Sequence, residues 1–104
     1  KVYTGSCALG PGIQLAGPEA MTDLSIVLEI EQDGKTAFEG EIRTSQIKRE
    51  LKVLVSYLGR ELSFPQGVFL MTGTGIVPPD EFSLEAGDHV RIRVGNMVLE
   101  NPVE

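Results

Sequence analysis

The sequence predicts a mainly β fold with one helix, of the α+β class, in which a twisted mixed β-sheet forms a roll or sandwich and the helix packs on it. Three observations support this fold class. Apolar and polar side chains alternate over residues 24–31, apolar side chains recur at helical spacing over residues 47–58, and alternation returns over residues 89–94. We expect five or six strands in all.

Each alternating segment runs into a tight-turn dipeptide. Asp33-Gly34 follows the first segment and tolerates the positive φ angles of a two-residue hairpin turn. The alternation resumes at Thr36 and continues to Ile42, which predicts a return strand. Gly95-Asn96 plays the same part after residues 89–94, so we predict a second hairpin that ends in a short strand over residues 97–99.

The helical spacing begins near Ser45, with Ile47, Leu51, Leu54, Val55 and Leu58 on one side. This pattern predicts one amphipathic helix of about 13 to 15 residues. Ser45 or Thr44 would cap its start, and Gly59 would end it.

Composition limits the classes of function. The chain has 104 residues without a linker or repeat, so we treat residues 1–104 as one structural unit. Nine basic and fifteen acidic residues give a net charge of −6, which disfavours nucleic acid and anionic membranes as partners. No apolar run approaches the ~20 residues of a membrane span. One cysteine and one histidine exclude an internal disulfide and a Cys/His zinc site, and they fit a reduced cytoplasmic setting.

The segment GVFLMTGTG (residues 67–75) is the best candidate for a binding site. Its apolar part, residues 68–71, predicts a strand buried on both faces. The following residues 72–75 are here called the TGTG segment. Their small hydroxyls and exposed backbone N–H groups could bind a carbonyl oxygen, a carboxylate or another anion. A simple tight turn with strand-favouring threonines is the alternative interpretation.

Other residues with reactive side chains are weaker candidates. His89 lies in an alternating strand and should face solvent. Cys7 is expected to be a small buried residue rather than a nucleophile. Glu29 and Glu31 share a strand face at a spacing that a divalent cation could use, although such clusters are usually solvated surface. Lys1 could serve as an oxyanion partner or could be a frayed terminal residue.

Taken in order, several motifs resemble the C-terminal half of the catalytic domain of the fumarylacetoacetate hydrolase family. They are Lys1, Gly5 and Leu9-Gly10-Pro11, the DG hairpin, the helix ending in Leu58, the TGTG segment, Gly87-Asp88, and Asn101-Pro102-Val103. The resemblance spans nearly the whole chain and implies an incomplete roll of that family's type. Thr4, Ala8 and Gly75 depart from the family's usual aspartate, proline and proline. The stretch GTGIVPPDEFSLEAGD is similar to the branch that dehydrates 2-keto-3-deoxy sugar acids.

The resemblance implies a divalent-metal enzyme, usually with Mg²⁺, that acts on a small 2-oxo acid through an enolate and is commonly a homodimer. Lys1 would donate to the enolate oxygen, and Thr72, Gly73 and Thr74 would contact the substrate, with Thr74 also catalytic. The metal ligands would precede Lys1, so none is assigned to this chain, and the chain alone should be inactive. Carbon–carbon bond hydrolysis, decarboxylation and isomerisation remain open, and so does a non-catalytic β-rich self-association module.

Overall fold

The computed structural model describes residues 4–10 and 12–104, and it contains four strands and one α-helix in this part of the chain. The strands are β1 (Ser25–Gln32), β2 (Lys35–Arg43), β3 (His89–Val94) and β4 (Met97–Pro102); the helix is α1 (Leu51–Leu58); and short 3-10 turns cover Pro18–Met21 and Thr44–Gln46. The predicted fold class, mainly β with one helix, is confirmed. The expected count of five or six strands is too high for the residues that the structure describes.

The four strands form one sheet in the order β2-β1-β3-β4, and every pairing among the described residues is antiparallel. The expected mixed sheet is therefore wrong for this part of the chain, because its strands are joined by hairpins or paired edge to edge in opposite directions. Asp33 and Gly34 join β1 to β2 with φ angles of 52° and 73°, the left-handed values of a type I′ turn. Gly95, with a φ of 58°, and Asn96 join β3 to β4. Both predicted hairpins are therefore confirmed, and they meet along β1 and β3.

Alternation along the strands gives the sheet one apolar and one polar face. Ile30 lies at the centre of the apolar face and is only 3% exposed. The strand register places these residues on the same face: Ile26, Leu28, Phe38, Ile42, Val90, Ile92, Val94 and Leu99. The opposite face carries Glu29, Arg91 and Glu100, so charged side chains remain in contact with water there.

The chain between α1 and β3 supplies the cover for the apolar face. Ile76 is 9% exposed and packs against Gly40 of β2. The ring of Phe82 lies with its centre 6.1 Å from that of Phe38. Ile30 and Ile76 are the buried apolar residues of the described chain, so the core is small and lies between β1, β2 and this loop.

The helix begins later than its pattern predicts. The side chains proposed as its N-cap are engaged elsewhere: the Thr44 hydroxyl accepts from the Leu24 amide at 2.8 Å, and the Ser45 hydroxyl donates to Asp23 at 2.8 Å. These contacts hold residues 44–46 at the end of the sheet, and α1 starts at Leu51. Its predicted end at Gly59 is confirmed. No helix in the described ranges is long and apolar enough to cross a membrane.

The predicted buried strand at residues 68–71 is wrong. These residues form no ladder, and Phe69 and Met71 are 63% and 75% exposed. The physical reason lies in the next part of the loop, because Ile76 and Phe82 already occupy the apolar face that the run would need. The run is left as an extended apolar surface.

Candidate functional site

The TGTG segment connects the exposed apolar run to the anchored residue Ile76. It has no regular secondary structure, and all four of its residues are exposed. Gly73 adopts a φ of 87°, and no atom of the described residues lies within 4 Å of the position where its Cβ would be. The left-handed backbone favours glycine here, and the open space allows a ligand to approach the main chain closely.

The Thr74 hydroxyl is tied to its own loop. It accepts a hydrogen bond from the Ile76 amide at 3.1 Å and donates one to the Ile76 carbonyl at 3.2 Å. This is the local turn that short hydroxyl side chains stabilise. The tight-turn interpretation therefore describes the hydrogen bonding of Thr74. Its hydroxyl is held next to the accessible backbone of Gly73.

The end of the TGTG segment rests on β2. A Cβ on Gly75 would lie 2.3 Å from the Cδ1 methyl of Ile42, and a Cβ on Gly40 would lie 2.6 Å from the Cγ2 methyl of Ile76. Both glycines thus allow backbone and side chain to come into direct contact. The C-terminal end of the TGTG segment therefore packs against the apolar face of the sheet.

Two other predicted residues lie near the start of the chain. Lys1 falls outside the described residues, so its expected role as a donor to the enolate oxygen stays a prediction. Cys7 is exposed, which contradicts the expectation that it is a buried residue. The described residues around it, including Ala8 and Gly10, are exposed as well, so no core forms at this point to cover the thiol.

Two carboxylates on the polar face of the sheet, Glu29 and Glu100, form ion pairs with Arg91. The Arg91 guanidinium donates to Glu100 and, at 3.1 Å, to Glu29, and these two hydrogen bonds raise the pKa of Arg91. Within residues 4–10 and 12–104 no group of three or more metal-ligating side chains could hold an ion. Glu29 therefore belongs to an ion-paired face of the sheet, and the solvated-face interpretation of Glu31 stays a prediction. His89 is exposed, as predicted.

A polar cavity of about 510 Å³ opens where the first hairpin meets the start of β3. It is lined by Glu31, Gln32, Asp33, Gly34, Glu85, Ala86, Gly87, Asp88 and His89, and so it includes none of the residues of the TGTG segment. Its wall contains Asp88, which is 5% exposed and accepts from the Gln32 side chain at 2.7 Å and the Glu85 amide at 2.8 Å.

Sequence reasoning missed the structural importance of Asp88 and Gly40. In the sequence Asp88 is only part of the Gly87-Asp88 motif, and the Gln32 side chain that donates to it is 56 residues away in the chain. Gly40 occupies a position of the strand pattern where an apolar side chain is expected. A glycine at such a position often marks the close approach of another backbone or side chain, and that signal was available.

The whole chain is similar in sequence to two sugar-acid dehydratases. It is 36% identical over 109 residues to 2-dehydro-3-deoxy-D-arabinonate dehydratase of Saccharolobus solfataricus, which covers 100% of this chain and 36% of that protein. It is 36% identical over 107 residues to the "probable 2-keto-3-deoxyxylonate dehydratase" of Haloferax volcanii, covering 99% of this chain and 36% of that protein. The chain therefore spans just over a third of the length of these relatives. No family model matches it.

The backbone of this chain is also similar to solved structures of dehydratases. A hexagonal crystal form of 2-keto-3-deoxyarabinonate dehydratase superposes on 100% of this chain with a TM-score of 0.92 and 36% identity, and the match covers 36% of that chain. A 2-keto-3-deoxy-D-arabinonate dehydratase complexed with magnesium and 2,5-dioxopentanoate superposes on 80% of this chain, with a TM-score of 0.76 and 36% identity. The irregular loops as well as the sheet therefore follow a known dehydratase backbone.

Proposed function

We propose that this chain is the C-terminal part of a catalytic domain of the fumarylacetoacetate hydrolase family. The whole protein is then a magnesium-dependent enzyme that dehydrates a 2-keto-3-deoxy sugar acid. The proposal includes a small 2-oxo acid as substrate, a cytoplasmic location and a homodimeric assembly. It also includes the inactivity of the 104 residues on their own.

One observation carries this proposal. The similarity to two proteins named as dehydratases of 2-keto-3-deoxy sugar acids extends over essentially the whole chain. Local similarity confined to a common hairpin would say nothing about chemistry, because one fold serves many functions. Here the match includes the TGTG segment and its neighbouring loops, where residues that contact a ligand are expected.

Thr74 has the chemistry that the proposal requires of it. Its hydroxyl oxygen accepts from the Ile76 amide and has a single proton, which now points to the Ile76 carbonyl. A substrate carboxylate or keto oxygen next to Gly73 would take that proton as a hydrogen bond while the bond from the Ile76 amide is kept. The amide would then polarise the hydroxyl and strengthen the donation to substrate.

The described residues do not fit a complete magnesium site. No suitable group of carboxylates, histidines or cysteines exists among them, and Glu29 is engaged by Arg91. The proposal therefore places the metal ligands outside this chain. The magnesium and 2,5-dioxopentanoate bound to the solved neighbour support a magnesium requirement for the whole protein.

The proposal is tested in the enzyme encoded by the complete gene. Dehydration of 2-keto-3-deoxy sugar acids is measured with and without magnesium, and the binding of oxalate or pyruvate is followed by calorimetry. Thr74→Val keeps the shape of the side chain and removes the donor, so kcat/KM should fall about 100-fold, as for loss of one oxyanion donor. Thr74→Ser keeps the hydroxyl and should lose far less.

Thr36→Val is the matched control, since Thr36 is an exposed threonine on β2 outside the candidate site. Activity that is unchanged in Thr74→Val would exclude the assigned role. Absence of both dehydration and magnesium-dependent oxalate binding in the unmodified enzyme would exclude the function itself.

A non-catalytic self-association module is the candidate of another class. The exposed apolar run at residues 68–71 favours it, and so do the edges of the sheet at β2 and β4, which pair with no further strand among the described residues. Analytical ultracentrifugation of the 104-residue chain separates the two ideas. A stable, defined oligomer together with an inactive complete protein would favour the module.

A further inference from the structure

Two glycines of this chain touch isoleucine side chains, but the two contacts differ in how easily they yield. The Cβ position of Gly75 meets the Cδ1 methyl of Ile42, which is the free end of a flexible side chain and can rotate away. The Cβ position of Gly40 meets the Cγ2 methyl of Ile76, which is attached directly at the branched Cβ. This methyl moves only if the χ1 angle or the backbone of Ile76 changes.

Ile76 has little freedom to make that change. It is 9% exposed, and the ring of Phe38 lies 3.4 Å from the same Cβ position of Gly40, so the neighbouring space is filled. Both backbone polar groups of Ile76 are also bonded to the Thr74 hydroxyl. The placement of Ile76 therefore sets the placement of Thr74.

We propose that Gly40 and Ile76 form a positioning pair for the candidate site. The missing side chain at Gly40 lets Ile76 sit directly on β2, and Ile76 in turn fixes the orientation of the Thr74 hydroxyl. Neither residue touches the substrate. The proposal rests on the function proposed above for Thr74, and it adds the part of the sheet that determines where that hydroxyl stands.

The first test uses the enzyme encoded by the complete gene and needs no measurement of activity. Gly40→Ala should displace Ile76, so exchange of the Ile76 amide hydrogen with solvent should become about tenfold faster or more. Ile76→Leu has the same volume but no methyl on Cβ, so Gly40→Ala/Ile76→Leu should recover most of the protection. A double variant that exchanges as fast as Gly40→Ala alone would overturn the positioning pair.

The second test uses the enzyme encoded by the complete gene. Displacement of a substrate-binding group by about 1 Å can lower activity about 100-fold, so Gly40→Ala should reduce kcat/KM by tenfold to a hundredfold per folded molecule. In a Thr74→Val background the same substitution should cause little further loss, because the group that it positions is gone. Equal losses in both backgrounds would show a purely structural effect and overturn the proposal.

Gly59→Ala is the control for both tests, since its new Cβ would lie 3.7 Å from the nearest atom, an ordinary contact. The two measurements also separate this proposal from the proposed function. An inactive wild-type enzyme would refute dehydration while leaving the exchange experiment on Ile76 intact. Unchanged exchange in Gly40→Ala would refute the positioning pair while leaving dehydration intact.

Discussion

The sheet and the loop that covers it follow different rules, although both are rich in apolar residues. In the sheet, alternation and tight turns specify the partner of each strand, so the two hairpins follow from short stretches of sequence. In residues 60–86 the apolar residues have no regular structure, and Ile76 is buried while Met71, five positions earlier, is 75% exposed. Hydrophobicity alone therefore does not determine burial here; the available face of the sheet does.

Substitutions of Ile30 and Met71 test this comparison most strongly. Ile30→Ala removes the centre of the core on β1 and should lower the free energy of unfolding by about 2–5 kcal/mol. Met71→Ala removes a side chain of about the same size that contributes little burial, and it should change the same quantity by about 0.5 kcal/mol or less. Urea unfolding followed by circular dichroism measures both. A similar cost for the two variants would mean that residues 68–71 are covered in solution.

Asp88 joins the two regions, and its substitution gives the next largest effect. One carboxylate oxygen accepts from Gln32 of β1 and from the Glu85 amide in the loop. Asp88→Ala leaves both donors without this acceptor and should cost about 2–3 kcal/mol in unfolding free energy.

Asp88→Asn is the matched variant, because its amide oxygen can replace the accepting carboxylate oxygen. It should cost about 1 kcal/mol, the part that depends on charge. Equal losses for Asn and Ala would show that the charge, rather than the two hydrogen bonds, holds the loop on the sheet. The measurement is again the urea midpoint.

The smallest effect concerns pH and the exposed end of the sheet. Hydrogen bonds from Arg43 and then from Ser45 lower the pKa of Asp23 below its ordinary value of 3.8. The folded chain thus favours the carboxylate more than the unfolded chain does, so this contribution is present above the ordinary value and disappears as pH falls through the lowered pKa. Asp23→Asn should reduce the urea midpoint at neutral pH, and the difference should vanish in acid.

Added salt should weaken the effect of Asp23, because the pair is solvent-exposed. Asp80→Asn, which removes a charge from an exposed loop residue, serves as the control for net charge. A larger difference between wild type and Asp23→Asn in acid than at neutral pH would reverse the assigned sign and contradict the prediction.

The parts of the fold that the sequence predicts correctly are those set by neighbouring residues. The Asp33-Gly34 and Gly95-Asn96 turns need particular φ angles, and residues that tolerate these angles are visible in the sequence. The start of the helix could not be found in this way. Thr44 and Ser45 are good N-cap residues, but their hydroxyls bond to Leu24 and Asp23 in the folded chain.

The candidate site was located by its motif but not described by it. The pattern of threonines and glycines singles out residues 72–75, and the structure shows an accessible backbone at Gly73. The sequence pattern could not reveal that the Thr74 hydroxyl bonds to Ile76, or that Ile76 packs on Gly40. These contacts depend on how the loop returns to β2. A contact between residues as far apart in the chain as Gly40 and Ile76 cannot be predicted from a local sequence pattern.

The pairing of β1 with β3 has a consequence for how the chain reaches this structure. Each hairpin closes a two-residue turn, whereas β1 and β3 can meet only after the whole intervening chain has been brought round. The entropy lost in closing a loop increases with its length, and contacts between distant residues slow folding. We expect the hairpins to form early and separately, so that the encounter of their inner edges sets the rate of refolding.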